Sequence, residues 1–218
     1  MGTIAAPTAR LFALAVLALV AVAGQPTLAA TPSPVELEGQ ALANITRIED
    51  YLNRLTSVHG RFIQANPDGT YVEGDFYLDR PGKLRFEYDE PSPYLLVADE
   101  THFIYVDRKL EQVTYLPLSS TPAYFLVREE ISFGDGLRLV DYRHEAGLHR
   151  LSLIQEDEPE SGTIILTLTD KPLVLRQWSI IDAQGAVTRV TLVDPTFGLE
   201  LDRALFRFVN PWRGRGRD

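Results

Sequence analysis

Cysteine is absent from this chain of 218 residues. That excludes a disulfide scaffold, a zinc–thiolate centre, a cysteine nucleophile and a lipid-modified cysteine. Positive charge is scarce as well. Lys and Arg number 21 against 30 Asp and Glu, a net charge of -9. This is the wrong sign for a nucleic-acid partner, whose phosphates need a basic face. Neither a Gly-Lys-Ser/Thr phosphate loop nor a Gly-x-Ser-x-Gly nucleophile elbow occurs. The histidines are His59, His102, His144 and His149, and none forms the i, i+4 pair of a helical zinc site. His144 and His149 flank a predicted hairpin turn and could meet across strands, but no metal and no cofactor is expected. Glu129 and Glu130, with Asp135 nearby, resemble the carboxylates of a glycosidase only in composition. They read as a solvated helix end, so no catalytic residue is assigned and the chain is not expected to be an enzyme.

Long apolar runs are also rare. The one present spans residues 11–23, follows Arg10 and gives way to Gly24-Gln25-Pro26 and a small-residue stretch ending at Ala30. Its 13 residues fall short of the roughly 20 that a spanning helix needs. The order is that of an export signal cleaved near Ala30. The expected organisation is a signal over 1–30, one domain over 31–211 and a flexible basic tail over 212–218. Arg213, Arg215 and Arg217 in that tail could touch anionic headgroups or simply keep the chain soluble.

What is present is periodicity. Leu37, Ala41, Ile45, Ile48, Leu52 and Leu55 recur at spacings of three and four, which predicts a one-faced helix over 35–55. From Gly60 the period becomes two. Val72, Gly74, Phe76 and Leu78 share one face, and Leu84, Phe86 and Tyr88 repeat the pattern after a Pro81-Gly82 turn. Further strands are predicted near 94–98, 102–107, 111–116, 137–143, 148–155, 162–169, 173–182, 186–194 and 204–209. A second helix is expected over 122–130, with Thr121 as N-cap, Pro122 in the first helical position and Ala123 to Glu130 continuing it. A single antiparallel sheet of ten or so strands must curl, and only the helices can cover its apolar face. The expected fold is mainly β with helices (α+β): an incomplete, strongly curved antiparallel β-barrel under a helical lid.

The segment from Leu55 to Pro91 carries Phe62-x-Gln64, then Glu73-Gly74-x-Phe76, then Arg80-Pro81-Gly82-x-x-Arg85-Phe86-x-Tyr88. Downstream come LLVADETHFIYVD over 95–107, Thr121 to Leu126, and Ala204 to Phe208 followed by Asn210-Pro211. Together these resemble the periplasmic outer-membrane lipoprotein carrier family, LolA, over about residues 36–211. One departure is Glu100, which stands at a turn position where the family has glycine. The resemblance implies a monomeric periplasmic carrier of acylated lipoproteins. It would receive them from an inner-membrane ABC exporter and pass them to an outer-membrane acceptor or to the membrane itself. It also implies an acyl-chain cavity, with Phe62, Phe76, Leu78, Leu84, Phe86, Phe103 and Tyr105 as wall and Leu52, Leu55, Tyr124 and Phe125 as lid. Alternation alone does not distinguish such a wall from closed core.

Arg80 falls on the face of Phe76 and Leu78, so a charge points where apolar residues point. Such a charge is costly unless it is hydrogen-bonded. From the residues, Arg80 either turns to solvent or pairs with Glu73, Asp79 or Glu87. The resemblance implies instead that it latches the lid by binding loop or helix-end carbonyls.

Overall fold

A computed structural model describes residues 37–157 and 159–213. The expected signal and most of the expected tail lie outside them. Helix α1 (Gly39–Arg54) buries Ile45, Ile48 and Leu52 and leaves Leu42 exposed. It starts four residues later than the periodicity predicts. Gly39 takes the left-handed φ of +53, which no helix continues through.

Eleven strands follow: β1 (Ser57–Ala65), β2 (Tyr71–Asp79), β3 (Lys83–Tyr88), β4 (Tyr94–Asp99), β5 (His102–Asp107), β6 (Gln112–Pro117), β7 (Leu137–Glu145), β8 (Leu148–Gln155), β9 (Gly162–Thr169), β10 (Val174–Asp182) and β11 (Val187–Phe197). They form one antiparallel sheet in the order β6-β5-β4-β3-β2-β1-β11-β10-β9-β8-β7. The two halves are each a simple meander, joined where β1 pairs with β11. Among the described residues β6 and β7 are the sheet's edges and do not pair with each other, so the sheet is not closed into a ring.

The curl follows from side chains that meet across it. Strands β3 and β10 lie four steps apart in the sheet, about 19 Å if it were flat. Yet the rings of Phe86 on β3 and Trp178 on β10 are 6.2 Å apart, and Phe76 on β2 is 5.5 Å from Trp178. The concave face therefore closes on itself around Phe62, Phe76, Leu84, Phe86, Leu166 and Trp178, with α1 packed over it. The fold is the incomplete, strongly curved barrel with a helical cover that the alternation predicts.

Two predicted elements differ. The second helix is a single turn, α2 (Tyr124–Val127). Thr121 does not cap it; its hydroxyl donates to the Leu118 carbonyl, 2.8 Å away. The chain leaves the helix at Arg128, whose backbone is extended, and the carbonyls beyond are then free to bond elsewhere.

The expected strand over 204–209 is also absent. Arg203–Phe206 is a 3-10 turn, capped where Asp202 accepts from the Ala204 amide at 2.8 Å. Both neighbours of β11 are already occupied by β1 and β10, so the chain after it has no adjoining edge to pair with. It crosses the outer face instead. Phe208 and Trp212 pack there on Leu95, Val97, Ile104 and Val106, which places Trp212 against the barrel although it was expected to begin the flexible tail. Strand β4 is thereby covered on both faces.

Glu100 holds the turn between β4 and β5 with φ +78, the conformation that glycine adopts without strain. Its carboxylate reaches Lys83 at 3.1 Å, and its amide donates to the Gly82 carbonyl at 2.9 Å. The hairpin thus keeps the glycine geometry with a residue tied down at both ends.

Candidate functional site

The concave side holds a cavity of about 320 Å³ between the curled sheet and α2. Phe86, Leu96, Phe103, Tyr105, Ile164, Trp178, Ile180 and Val190 form its wall, and Ala123, Phe125 and Leu126 form its roof. Strands β3, β4, β5, β9, β10 and β11 supply the wall because alternation turns every second residue inward. The polar groups are few. The Tyr88 hydroxyl donates to the Gln64 side-chain oxygen at 2.8 Å. Burial pushes the Tyr88 phenol up, and burial with the Tyr94 contact pushes Tyr105 up to about 12. Both stay protonated near neutrality, so these phenols leave the cavity uncharged. A larger concavity of about 560 Å³ lies on the outer face, but Lys83, Asp99, Glu100, Arg203 and Arg207 line it. It is a charged surface groove rather than an apolar site.

Of the residues assigned to the wall, Phe86, Phe103 and Tyr105 line the cavity. Phe62, Phe76, Leu78 and Leu84 sit deeper, in closed core with no more than 5% exposure. Of those assigned to the lid, Leu52, Leu55 and Phe125 are buried over the sheet. Tyr124 is 37% exposed and turns outward beneath the Arg128 guanidinium. Ile164, Trp178 and Ile180 also line the cavity; they are absent from the expected wall, although the alternation of the predicted strands 162–169 and 173–182 points to them.

The cover consists of two pieces bound to each other. The Asn53 side chain on α1 donates to the Ile131 carbonyl and accepts from the Ile131 amide, both at 2.8 Å. Glu49 on α1 accepts from the Phe133 amide at 2.6 Å. Asn53→Ala removes two of these bonds and is expected to lower protection of the Ile131 amide in hydrogen exchange by about 1–2 kcal/mol. Unchanged protection there would show that the two pieces close independently.

Arg80 joins both pieces to the barrel. Its Nε donates to the Arg128 carbonyl at 2.8 Å and one terminal nitrogen to the Glu129 carbonyl at 2.9 Å. The other terminal nitrogen donates to the Leu52 carbonyl at 2.6 Å and the Leu55 carbonyl at 3.3 Å. Leu52 lies in the last turn of α1 and Leu55 caps it; the Leu52 carbonyl accepts from the Leu55 amide at 3.2 Å, and at this end of the helix carbonyls have acceptor capacity to spare and the dipole favours a cation. The neighbouring Gly82 amide adds a bond to the Val127 carbonyl at 2.7 Å. The acids that could have paired with Arg80 bind other cations: Glu73 lies near Arg61, Asp79 near Lys83, and Glu87 near Arg85 and Arg108. Burial lowers the Arg80 pKa from its ordinary value, but a guanidinium stays charged at any physiological pH.

A second tie lies nearer the start of α1. Arg47 reaches Asp170, in the turn after β9, at 2.5 Å. The Arg47 hydrogen bond, followed by that of His149, holds the Asp170 carboxyl at about 2.

Residues 53–209 match the family described as outer membrane lipoprotein carrier protein LolA. An outer-membrane lipoprotein carrier protein from Methylococcus capsulatus is 29% identical over 175 residues, covering 76% of this chain and 83% of the relative. One from Azotobacter vinelandii is 28% identical over 189 residues, covering 82% and 88%. A solved LolA superfamily protein from Nitrosomonas europaea is 12% identical with a TM-score of 0.42, covering 75% of this chain and 97% of that one.

Proposed function

The chain belongs to the LolA family of outer membrane lipoprotein carriers, and from that premise we propose that it is a periplasmic, non-enzymatic shuttle holding lipoprotein acyl chains in the concave cavity. It takes cargo from an inner-membrane ABC exporter and yields it to an outer-membrane acceptor or to the membrane. The observation that carries this reading is the Arg80 arrangement. One cation just past the end of β2 binds four carbonyls drawn from both pieces of the cover.

Size supports a cover that moves. At about 320 Å³ the cavity sits at the lower end of the roughly 300–1,000 Å³ range of small-ligand pockets. Three acyl chains need more room than that. Energy points the same way. Fully burying three chains of about 16 carbons, at about 0.8 kcal/mol per methylene, would far exceed the practical affinity ceiling of about 18–21 kcal/mol. Cargo held that tightly would never leave. Either the chains are only partly buried, or loading spends part of the burial energy on parting the cover from the wall; the Arg80 bonds favour the second route, since re-forming them returns that energy on release. The closed state is then the driving force for hand-over as well as the resting form.

The test is purification from the periplasm followed by mass spectrometry of bound species. Triacylated lipoproteins in stoichiometric amount are expected. Free lipid alone would assign a different cargo, and an empty protein that hydrolyses envelope material would overturn the carrier reading.

A further inference from the structure

His144 on β7 and His149 on β8 are direct cross-strand partners, with rings stacked 4.1 Å apart. The turn after β9 brings Asp170 to the same spot. His149 Nε2 lies 3.1 Å from one Asp170 oxygen, and His144 Nε2 lies 3.5 Å from the other. In a tetrahedral zinc site with bonds of about 2.0–2.1 Å, ligand atoms are about 3.3–3.4 Å apart. The two separations, each to a different oxygen of the carboxylate, bracket that edge, and with one ligand atom from each residue the three lie within 4.8 Å of one another. His149 is fully buried, and its Nδ1 is 2.9 Å from the Tyr142 hydroxyl. A partner on the far nitrogen is what orients a metal-binding imidazole.

A cation already occupies this position. One terminal nitrogen of Arg47 is 2.5 Å from Asp170 and 3.0 Å from His149 Nε2, touching two of the three ligands. Its hold is incomplete, because Arg47 Nε is buried without a hydrogen-bond partner among the described residues. The side chain is 40% exposed, so it has a path outward to solvent.

We propose that His144, His149 and Asp170 form a divalent transition-metal site that α1 closes with its own Arg47 guanidinium, so that a bound metal ion and the docked arginine exclude each other. Two imidazoles and one carboxylate suit zinc, with water as the fourth ligand. Metal entry releases the Arg47 tie at the middle of α1 and leaves the Arg80 bonds at its C-terminal end in place. The inference concerns metal binding by the unloaded protein and stands apart from the carrier reading.

The experiment is calorimetric titration of the untagged, EDTA-treated protein with zinc chloride, with hydrogen exchange on α1 in parallel. One zinc ion per chain is expected. Arg47→Ala should bind it about tenfold more tightly, because the competing cation is gone. His144→Ala, at a half-exposed position that folding tolerates, should bind it at least about tenfold more weakly. Asp170→Asn should weaken it likewise. Zinc should speed α1 exchange in the parent protein and not in Arg47→Ala. Absence of one-per-chain binding in both parent and Arg47→Ala overturns the site. So does binding that His144→Ala leaves intact. Affinity that Arg47→Ala fails to raise, or α1 exchange that zinc fails to change, overturns the exclusion.

Discussion

Arg80→Leu is expected to fold, to accept lipoprotein and to pass it on poorly. The substitution removes all four bonds from Arg80 to the cover. Hydrogen bonds from a charged donor contribute about 1.5–3 kcal/mol each, but they are not additive here. Two of the freed carbonyls belong to half-buried Arg128 and exposed Glu129 and regain water, which returns part of the loss. The Gly82 bond to Val127 also remains. A net loss of about 3 kcal/mol from the closed state is a reasonable scale, and it shifts the closed-to-open ratio by roughly a hundredfold. Opening becomes easier, so loading is not impaired. Hand-over loses the free energy that closure supplied.

Arg80→Lys should fall between the two, since an ammonium cannot reach four acceptors in the planar arrangement of a guanidinium. The measurement follows the two steps separately: release of lipoprotein from inner-membrane vesicles, then transfer to outer-membrane acceptor. Normal transfer by the Leu protein, or its failure to load or to fold, would remove the latch from the mechanism.

Trp178→Ala is expected to cost about 3–5 kcal/mol in urea unfolding. Trp178 is 3% exposed and touches Phe76 and Phe86, which belong to the other half of the sheet. Its removal leaves the two halves without their central contact and opens a void that neighbouring rings only partly refill. Because Trp178 also lines the cavity, the void adds to it. Uptake of a fluorescent fatty acid should rise even as stability falls. Trp212, half-buried on the outer face against Phe208 and strand β4 side chains, serves as the control. Trp212→Ala should cost about 1 kcal/mol and leave uptake unchanged. A loss below about 1 kcal/mol for Trp178→Ala would mean that the curl does not depend on this contact.

Much of this architecture is legible in the residues because it rests on local periods. Alternation over Tyr71–Asp79 and Lys83–Tyr88 marks two strands and their inward faces. Spacings of three and four mark α1. The same alternation places Arg80 on the inward side, and Pro81 marks the strand end beside it. Alternation does not report depth, however. Phe76 and Phe86 have the same pattern and neighbouring places, yet Phe86 lines the cavity and Phe76 lies in closed core. The difference depends on what the opposite wall brings to each, and that wall comes from β10, about a hundred residues away in sequence.

The chain after β11 misleads for a related reason. Residues 204–209 have the composition of a strand, but a strand requires a free edge, and the β1–β11 pairing has closed the one beside it. The second helix ends at Val127, and Arg80 binds the Arg128 and Glu129 carbonyls just beyond it, a partner that no local propensity contains.

By itself, the sequence determined the antiparallel sheet, its inward faces, the covering helix and the absence of thiol chemistry. Each of these follows from residue type and from periods of two or 3.6, which act within a few residues. Only the tertiary structure decided which inward residues enclose a cavity, which carbonyls Arg80 reaches, and that Arg47 meets His149 and Asp170. Those partners are 102 and 123 residues from Arg47 along the chain. They come together because the curled sheet returns its second half over the first, and burial energy sums over every strand rather than over any one segment.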